Sequence, residues 1–193
     1  MPSSYGRVSV VRRGPQVTVQ NAELQITYDL SEGLWSYANS EGQALIRGVC
    51  ARWRLEDDRT GATSDPCDRS FHAAPTHSEV HGDGVELVFT HSAEGSDVVA
   101  ELCLYVYEAV PFAILRARVR NVGRRVFRVA RLYLIDVPES ETHATAGIQL
   151  GSAPTDCLAH FTGSLFMAHG ARPIHRDVVF PDEFTDEPIS DGL

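Results

Sequence analysis

Lysine is absent from the 193 residues, and all 17 positive side chains are arginine. Such a chain has no ε-amine for a Schiff base, no phosphate-loop lysine and no Lys-x-Asp catalytic signature. A codon bias toward arginine explains the composition without reference to function, and the exclusion stands under either cause. Long apolar runs are also missing. No stretch approaches the ~20 residues of a membrane-spanning helix, so no membrane partner is expected. Met1-Pro2-Ser3-Ser4-Tyr5-Gly6-Arg7 lacks the apolar core of ~7–15 residues that a secretory leader needs, which makes the cytoplasm the expected compartment. Cysteine is sparse and scattered: Cys50, Cys67, Cys103 and Cys157 form no Cys-x-x-Cys pair. They read as reduced structural thiols, with no metal site and no disulfide framework. Apolar residues nowhere recur at i, i+3, i+4, i+7 long enough to mark a helix. The net charge of −9 argues against a phosphate backbone as partner, so no nucleic acid is expected.

What the chain has instead is a period of two. In Ala113-Ile114-Leu115-Arg116-Ala117-Arg118-Val119-Arg120 the arginines alternate with Leu115, Ala117 and Val119. After Asn121-Val122-Gly123-Arg124-Arg125 the pattern resumes, with Phe127, Val129, Arg131 and Tyr133 against Arg128, Ala130, Leu132 and Leu134. Sustained alternation of this kind builds antiparallel sheet with one wet and one dry face. The basic run from Arg116 to Arg131 therefore reads as a solvated sheet face. Shorter strands are expected at 8–12, 16–20, 23–29, 34–38 and 44–56, separated by turns such as Arg13-Gly14-Pro15 and Asn39-Ser40-Glu41-Gly42. On the last of these Val49, Ala51, Trp53 and Leu55 share a face. Residues 57–76, rich in Asp, Thr, Ser, Gly and Pro, read as a long loop, of a length that goes with either function or mobility. A hairpin follows, 77–81 and 85–91, turning at Gly82-Asp83-Gly84. Beyond Pro138 the pattern weakens, leaving short strands at 147–151 and 174–180 and irregular chain at 152–173.

At least ten short strands in one unit of this length imply an all-β fold, an antiparallel two-sheet (super)sandwich. One domain is expected over residues 1–180. Residues 181–193 carry Asp182, Glu183, Asp186, Glu187 and Asp191 with no base, and read as an acidic linker or frayed tail.

No catalytic constellation stands out. His77 and His81, four apart on a strand, would hold their Cβ atoms ~13 Å apart, too far for one zinc ion. His143, His160, His169 and His175 populate the irregular last third without an evident carboxylate partner. Asp57, Asp58 and Asp136 sit at strand ends, where acids commonly serve turns; no pair is assigned to glycoside cleavage. Among the aromatics, most belong to strand faces and to packing. Trp53 differs, because it directly precedes the long loop. Trp53, Asp57 and Asp58 are therefore the candidate substrate-binding residues, with no catalytic residue, metal or cofactor assigned.

The block Glu101-Leu102-Cys103-Leu104-Tyr105-Val106-Tyr107-Glu108-Ala109-Val110-Pro111-Phe112, followed by the R-x-R-V-x-N passage at 116–121 in the variant Arg116-Ala117-Arg118-Val119-Arg120-Asn121, resembles part of a known family. That part is the N-terminal β-sandwich of alpha-galactosidase-type glycoside hydrolases (glycoside hydrolase family 36). Gly147-Ile148-Gln149-Leu150-Gly151-Ser152 is similar to the G-x-x-L-G segment that follows there, and Gly42-Gln43-Ala44-Leu45-Ile46 fits an early hairpin. The resemblance spans most of residues 16–165. It implies a galactose mutarotase-like supersandwich that precedes a catalytic (β/α)8 barrel, with the barrel or a second copy of the chain as partner and carbohydrate as ligand of the whole. The family's catalytic aspartates lie in the barrel, one of them in a Lys-x-Asp setting, so none is carried over to this chain. Its tryptophan-rich segment after the L-G passage is replaced by Phe161-Thr162-Gly163-Ser164-Leu165-Phe166. The expected function is that of a non-catalytic module of a carbohydrate-active enzyme. A stand-alone mutarotase-like epimerase requires a buried histidine facing a carboxylate, and a simple carbohydrate-binding module requires exposed aromatics on one face. The accessory module requires an exposed apolar docking patch.

Overall fold

A computed structural model of the protein describes residues 3–137 together with Gly147–Ile148, Cys157–Thr162 and His169–Ile174. The chain divides into two compact units, Met1–Gly147 and Ile148–Leu193. In the second, Cys157–Thr162 and His169–Ile174 form an antiparallel hairpin with Cys157 opposite Ile174 and Thr162 opposite His169. The composition of this stretch reads as irregular, yet a two-stranded ladder is built from backbone groups and needs no alternation of side chains. His143, His175, the last three residues of the strand expected at 147–151, all but the first residue of the strand expected at 174–180 and the expected tail at 181–193 lie outside the described residues.

The first unit begins with β1 (Ser3–Tyr5), β2 (Val8–Arg13), β3 (Gln16–Gln20), β4 (Leu24–Asp29), β5 (Leu34–Asn39), β6 (Ala44–Leu55) and β7 (Thr60–Ala62). It continues with β8 (Asp68–Ser78), β9 (Gly82–Ser92), β10 (Val98–Tyr107), β11 (Ala113–Asn121) and β12 (Val129–Asp136). One antiparallel sheet runs β1-β2-β3-β4-β5-β6-β12, with β7 also paired to β6; the other runs β11-β10-β9-β8. β6 is long enough to serve two sets of neighbours: its first half pairs with β5, its second half with β12 and β7. The all-β two-sheet sandwich expected from the alternation is the observed fold.

The dry faces meet between the sheets. Val17 and Val19 of β3, Leu24, Ile26 and Tyr28 of β4, Val85, Leu87 and Phe89 of β9, and Leu102, Leu104 and Val106 of β10 are buried in one cluster. Each set is a strict i, i+2 series, because successive side chains on a strand point to opposite faces. Tyr28 and Phe89 stack across the interface, ring centroids 3.9 Å apart and 14° from parallel. On the outer face of β11, Arg116 lies over the Tyr105 ring, and Arg118 and Arg120 reach Glu101.

Two local expectations are corrected. The stretch 57–76 is not a loop, since it contains β7 and most of β8. β8 is the edge of its sheet and half solvated, so its sequence is polar and accommodates Pro75, whose missing N–H an edge strand tolerates. Only Phe71 and Ala73 of β8 pack on the core. The following turn lies at Glu79-Val80-His81, three residues before the Gly82-Asp83-Gly84 expected from composition; Gly82 pairs with Ser78 and takes φ +79°. His81 therefore sits in the turn and not on a strand with His77.

One buried polar atom has no partner among the described residues: the indole nitrogen of Trp35 on β5. An orphaned buried donor costs ~1–3 kcal/mol. Trp35→Phe should therefore stay within ~1 kcal/mol of the parent, the lost volume being offset by removal of that donor, whereas Trp35→Ala should cost ~3–5 kcal/mol. Urea midpoints of the two variants measure the contrast.

Candidate functional site

The β6–β7 hairpin, the β7–β8 connection and the start of β10 border a half-open pocket of about 170 Å³. Trp53, Leu55, Ala62, Pro66 and Val98 supply its apolar walls, and Arg59, Asp65, Cys67 and His91 border it. Trp53 is held by Gly61, its partner across the β6–β7 ladder. A Cβ built on Gly61 would come within 2.4 Å of the indole, so any larger residue would push Trp53 out of place. The corner behind it is fixed by Thr63, whose hydroxyl donates to the Gly33 carbonyl at 2.8 Å and accepts from the Ala51 amide at 3.1 Å. Gly33 takes φ +71° with the Thr63 carbonyl where a side chain would begin, so only glycine fits there.

Of the three residues expected to bind substrate, Trp53 alone lines this cavity. Asp57 accepts from Arg59 at 2.9 Å, and the same guanidinium reaches Asp97 at 2.7 Å. Arg59 is thereby clamped between two carboxylates, and the hydrogen bond to Asp97 raises its already high pKa. Asp58 pairs with Arg54 and adopts φ 65°, the left-handed conformation that a short polar residue takes in a tight turn. Both aspartates thus shape the β6–β7 turn, and the structure does not bring them together with Trp53.

His91, the last residue of the strand expected at 85–91, is a feature that the sequence reading did not single out. It continues the dry-face series Val85, Leu87, Phe89 on β9 and is only 2% exposed. Nδ1 donates to the Ala100 carbonyl at 3.3 Å, which leaves Nε2 to accept from the Tyr28 hydroxyl. This assignment makes the ring neutral, and burial pushes its pKa down to about 4. Burial likewise raises the Tyr28 phenol well above its ordinary value. The alternation itself carried the signal: a histidine in phase with three core residues is a core histidine. Its two nitrogens are occupied by a hydroxyl and a carbonyl, so it offers no acid–base pair with a carboxylate. Burial also raises the Cys67 thiol, which favours its uncharged and unreactive form.

A second feature stands apart from the cavity. β12 ends its sheet and pairs only with β6 among the described residues. Leu132, Tyr133, Leu134 and Ile135 are 40, 43, 37 and 40% exposed, so both of its faces are partly open to solvent, and Val126, Val129 and Val137 are exposed beside them in the chain. Soluble proteins rarely leave a run of this kind uncovered. No protein-family model, no curated protein and no solved structure matches this chain.

Proposed function

We propose that this chain is a non-catalytic β-sandwich module of a carbohydrate-active enzyme of the alpha-galactosidase type, docked against a catalytic (β/α)8 barrel. The observation that carries the reading is β12. An accessory module needs an apolar surface for the domain it supports, and four consecutive apolar residues at 132–135 form one. Bond cleavage and the principal sugar contacts belong to the barrel on this reading. The epimerase alternative draws no support from His91, because the groups facing it are Tyr28 and a main-chain carbonyl.

The test is made on the product of the complete natural reading frame through to its stop codon. Expressed whole, it should hydrolyse a chromogenic α-galactoside. Leu132→Glu with Leu134→Glu should lower that activity or its thermal resistance, with little change in the fold of the module itself, since both side chains are exposed. A natural product lacking a barrel sinks the reading. So does a double variant indistinguishable from the parent in activity and in protease resistance between the domains.

A further inference from the structure

The pairing of β6 with β12 sets two arginines directly against each other. Arg54 of β6 is opposite Arg131 of β12, and Arg52 is opposite Tyr133. On the other side of β6, Thr60 of β7 is opposite Arg54 and Ala62 is opposite Arg52. Directly opposed residues of an antiparallel pair share a face, with Cβ atoms ~4.5–5.5 Å apart, and like charges so placed repel. Thr60, Arg54 and Arg131 thus form one row across three strands, with Ala62, Arg52 and Tyr133 in the next. The neighbouring carboxylates do not balance this face. Asp136 accepts from Arg52 Nε at 2.6 Å, and Asp58 takes one contact from Arg54. Beyond Arg54, Glu56 is matched by Arg128 at 3.9 Å. Arg131 pairs with no carboxylate among the described residues. It donates from Nη1 to the Tyr133 hydroxyl at 3.4 Å. A guanidinium carries several N–H groups, so Arg54 and Arg131 both keep donors free. The face is locally positive, although the chain as a whole carries −9.

We propose that this row binds a tetrahedral oxyanion, a phosphate or sulfate group, held between Arg54 and Arg131 across the β6–β12 pairing. Two guanidinium forks on adjacent strands offer N–H groups to different oxygens of one anion, in charge-assisted hydrogen bonds. An anion placed there also relieves the repulsion between the two arginines. The Thr60 hydroxyl stands at the end of the same row as a further donor. A cation is repelled by the same pair, and Asp58 and Asp136 each already hold an arginine. A neutral polyol gains little, because its hydroxyls only replace water on exposed donors. A simple carboxylate brings less charge and fewer oxygens than phosphate or sulfate, and so binds less tightly. Leu132 and Leu134 alternate with Arg131 and Tyr133 and point to the other face of β12. The assignment goes beyond the docking reading and does not depend on it.

The arginine Nε–Hε resonances of the full chain, followed through titrations with sodium phosphate and with sodium sulfate, test the proposal. Sodium chloride holds the ionic strength constant. Saturating shifts centred on Arg54 and Arg131 are expected in the millimolar range. Arg54→Gln and Arg131→Gln should each weaken binding ~5-fold, the effect of a charge-assisted hydrogen bond discounted for exposure. Arg131→Lys keeps the charge without the fork and should fall between parent and Arg131→Gln. Arg47 is exposed on the same strand, seven residues and ~23 Å from Arg54. Arg47→Gln should therefore leave binding within ~2-fold of the parent, since salt screens charge over that distance. Acetate should bind ~5-fold more weakly than sulfate, and methyl α-galactoside should not move the two signals. Saturation by only one of the two tetrahedral anions upholds the site and names the group it takes. The proposal is overturned by shifts that never saturate, or by an Arg131→Gln protein that binds as the parent does. It is equally overturned if Arg47→Gln weakens binding as much as Arg131→Gln, or if acetate or the galactoside binds as tightly as sulfate.

Discussion

Phe89→Ala should destabilise the protein by ~3–5 kcal/mol, among the largest losses open to a single side chain here. Phe89 is 1% exposed and lies between two other rings, Tyr28 at 3.9 Å on one side and Phe71 at 6.0 Å on the other. Removing it deletes the transfer free energy of an aromatic ring and leaves a cavity bounded by two β-sheets, which are too stiff to close over it. The melting temperature should fall by ~6–20 °C for a chain of this size. Phe89→Leu retains most of the volume and should cost substantially less. Denaturant and thermal midpoints of the three proteins decide the matter. A loss below ~1 kcal/mol on truncation to alanine would mean that the two sheets do not close on Phe89.

Acid should weaken the fold through His91. The ring titrates near 6.5 in an unfolded chain, whereas burial holds it at about 4 in the folded protein. As pH falls below ~6.5 the unfolded chain takes up the proton first, so protonation draws the equilibrium toward unfolding. The contribution is complete above ~6.5, is lost progressively down to the folded-state value, and totals on the order of 3 kcal/mol. His91→Gln places an uncharged amide between the sheets and removes the titrating group. Its stability should be nearly flat between pH 7 and pH 4.5 relative to the parent, and the difference between the two proteins separates His91 from carboxylates that titrate lower. Parallel curves would show that His91 is not held neutral between the sheets.

How much of this was legible in the residues differs from element to element. β3 and β4 were readable to within one residue because Val17, Val19, Leu24, Ile26 and Tyr28 alternate cleanly with polar neighbours. β8 was not, because a half-solvated edge strand has little apolar surface to bury and no pattern to enforce. The turn before β9 was displaced by three residues, since glycine at positive φ serves equally after a turn as within it. At the site, Trp53 was reachable from its place before the β6–β7 turn, while Asp57 and Asp58 were chosen by type and position alone. Their partners, Arg59 and Arg54, lie two and four residues away around the same turn, and only Asp97, which also holds Arg59, is brought there by the fold.

The sequence by itself determined the class of fold, because a period of two acts residue by residue and needs no knowledge of distant neighbours. It also fixed which chemistries the chain lacks, lysine chemistry first among them. Only the tertiary structure decided that His91 is neutral and shared with Tyr28, 63 residues away, that Trp53 lines a pocket which Asp57 and Asp58 do not line, and that β12 is part-exposed along its length. Those three properties are set by what packs against a side chain, and in a two-sheet sandwich the neighbour across the interface, or across the β6–β12 pairing, is remote in the chain.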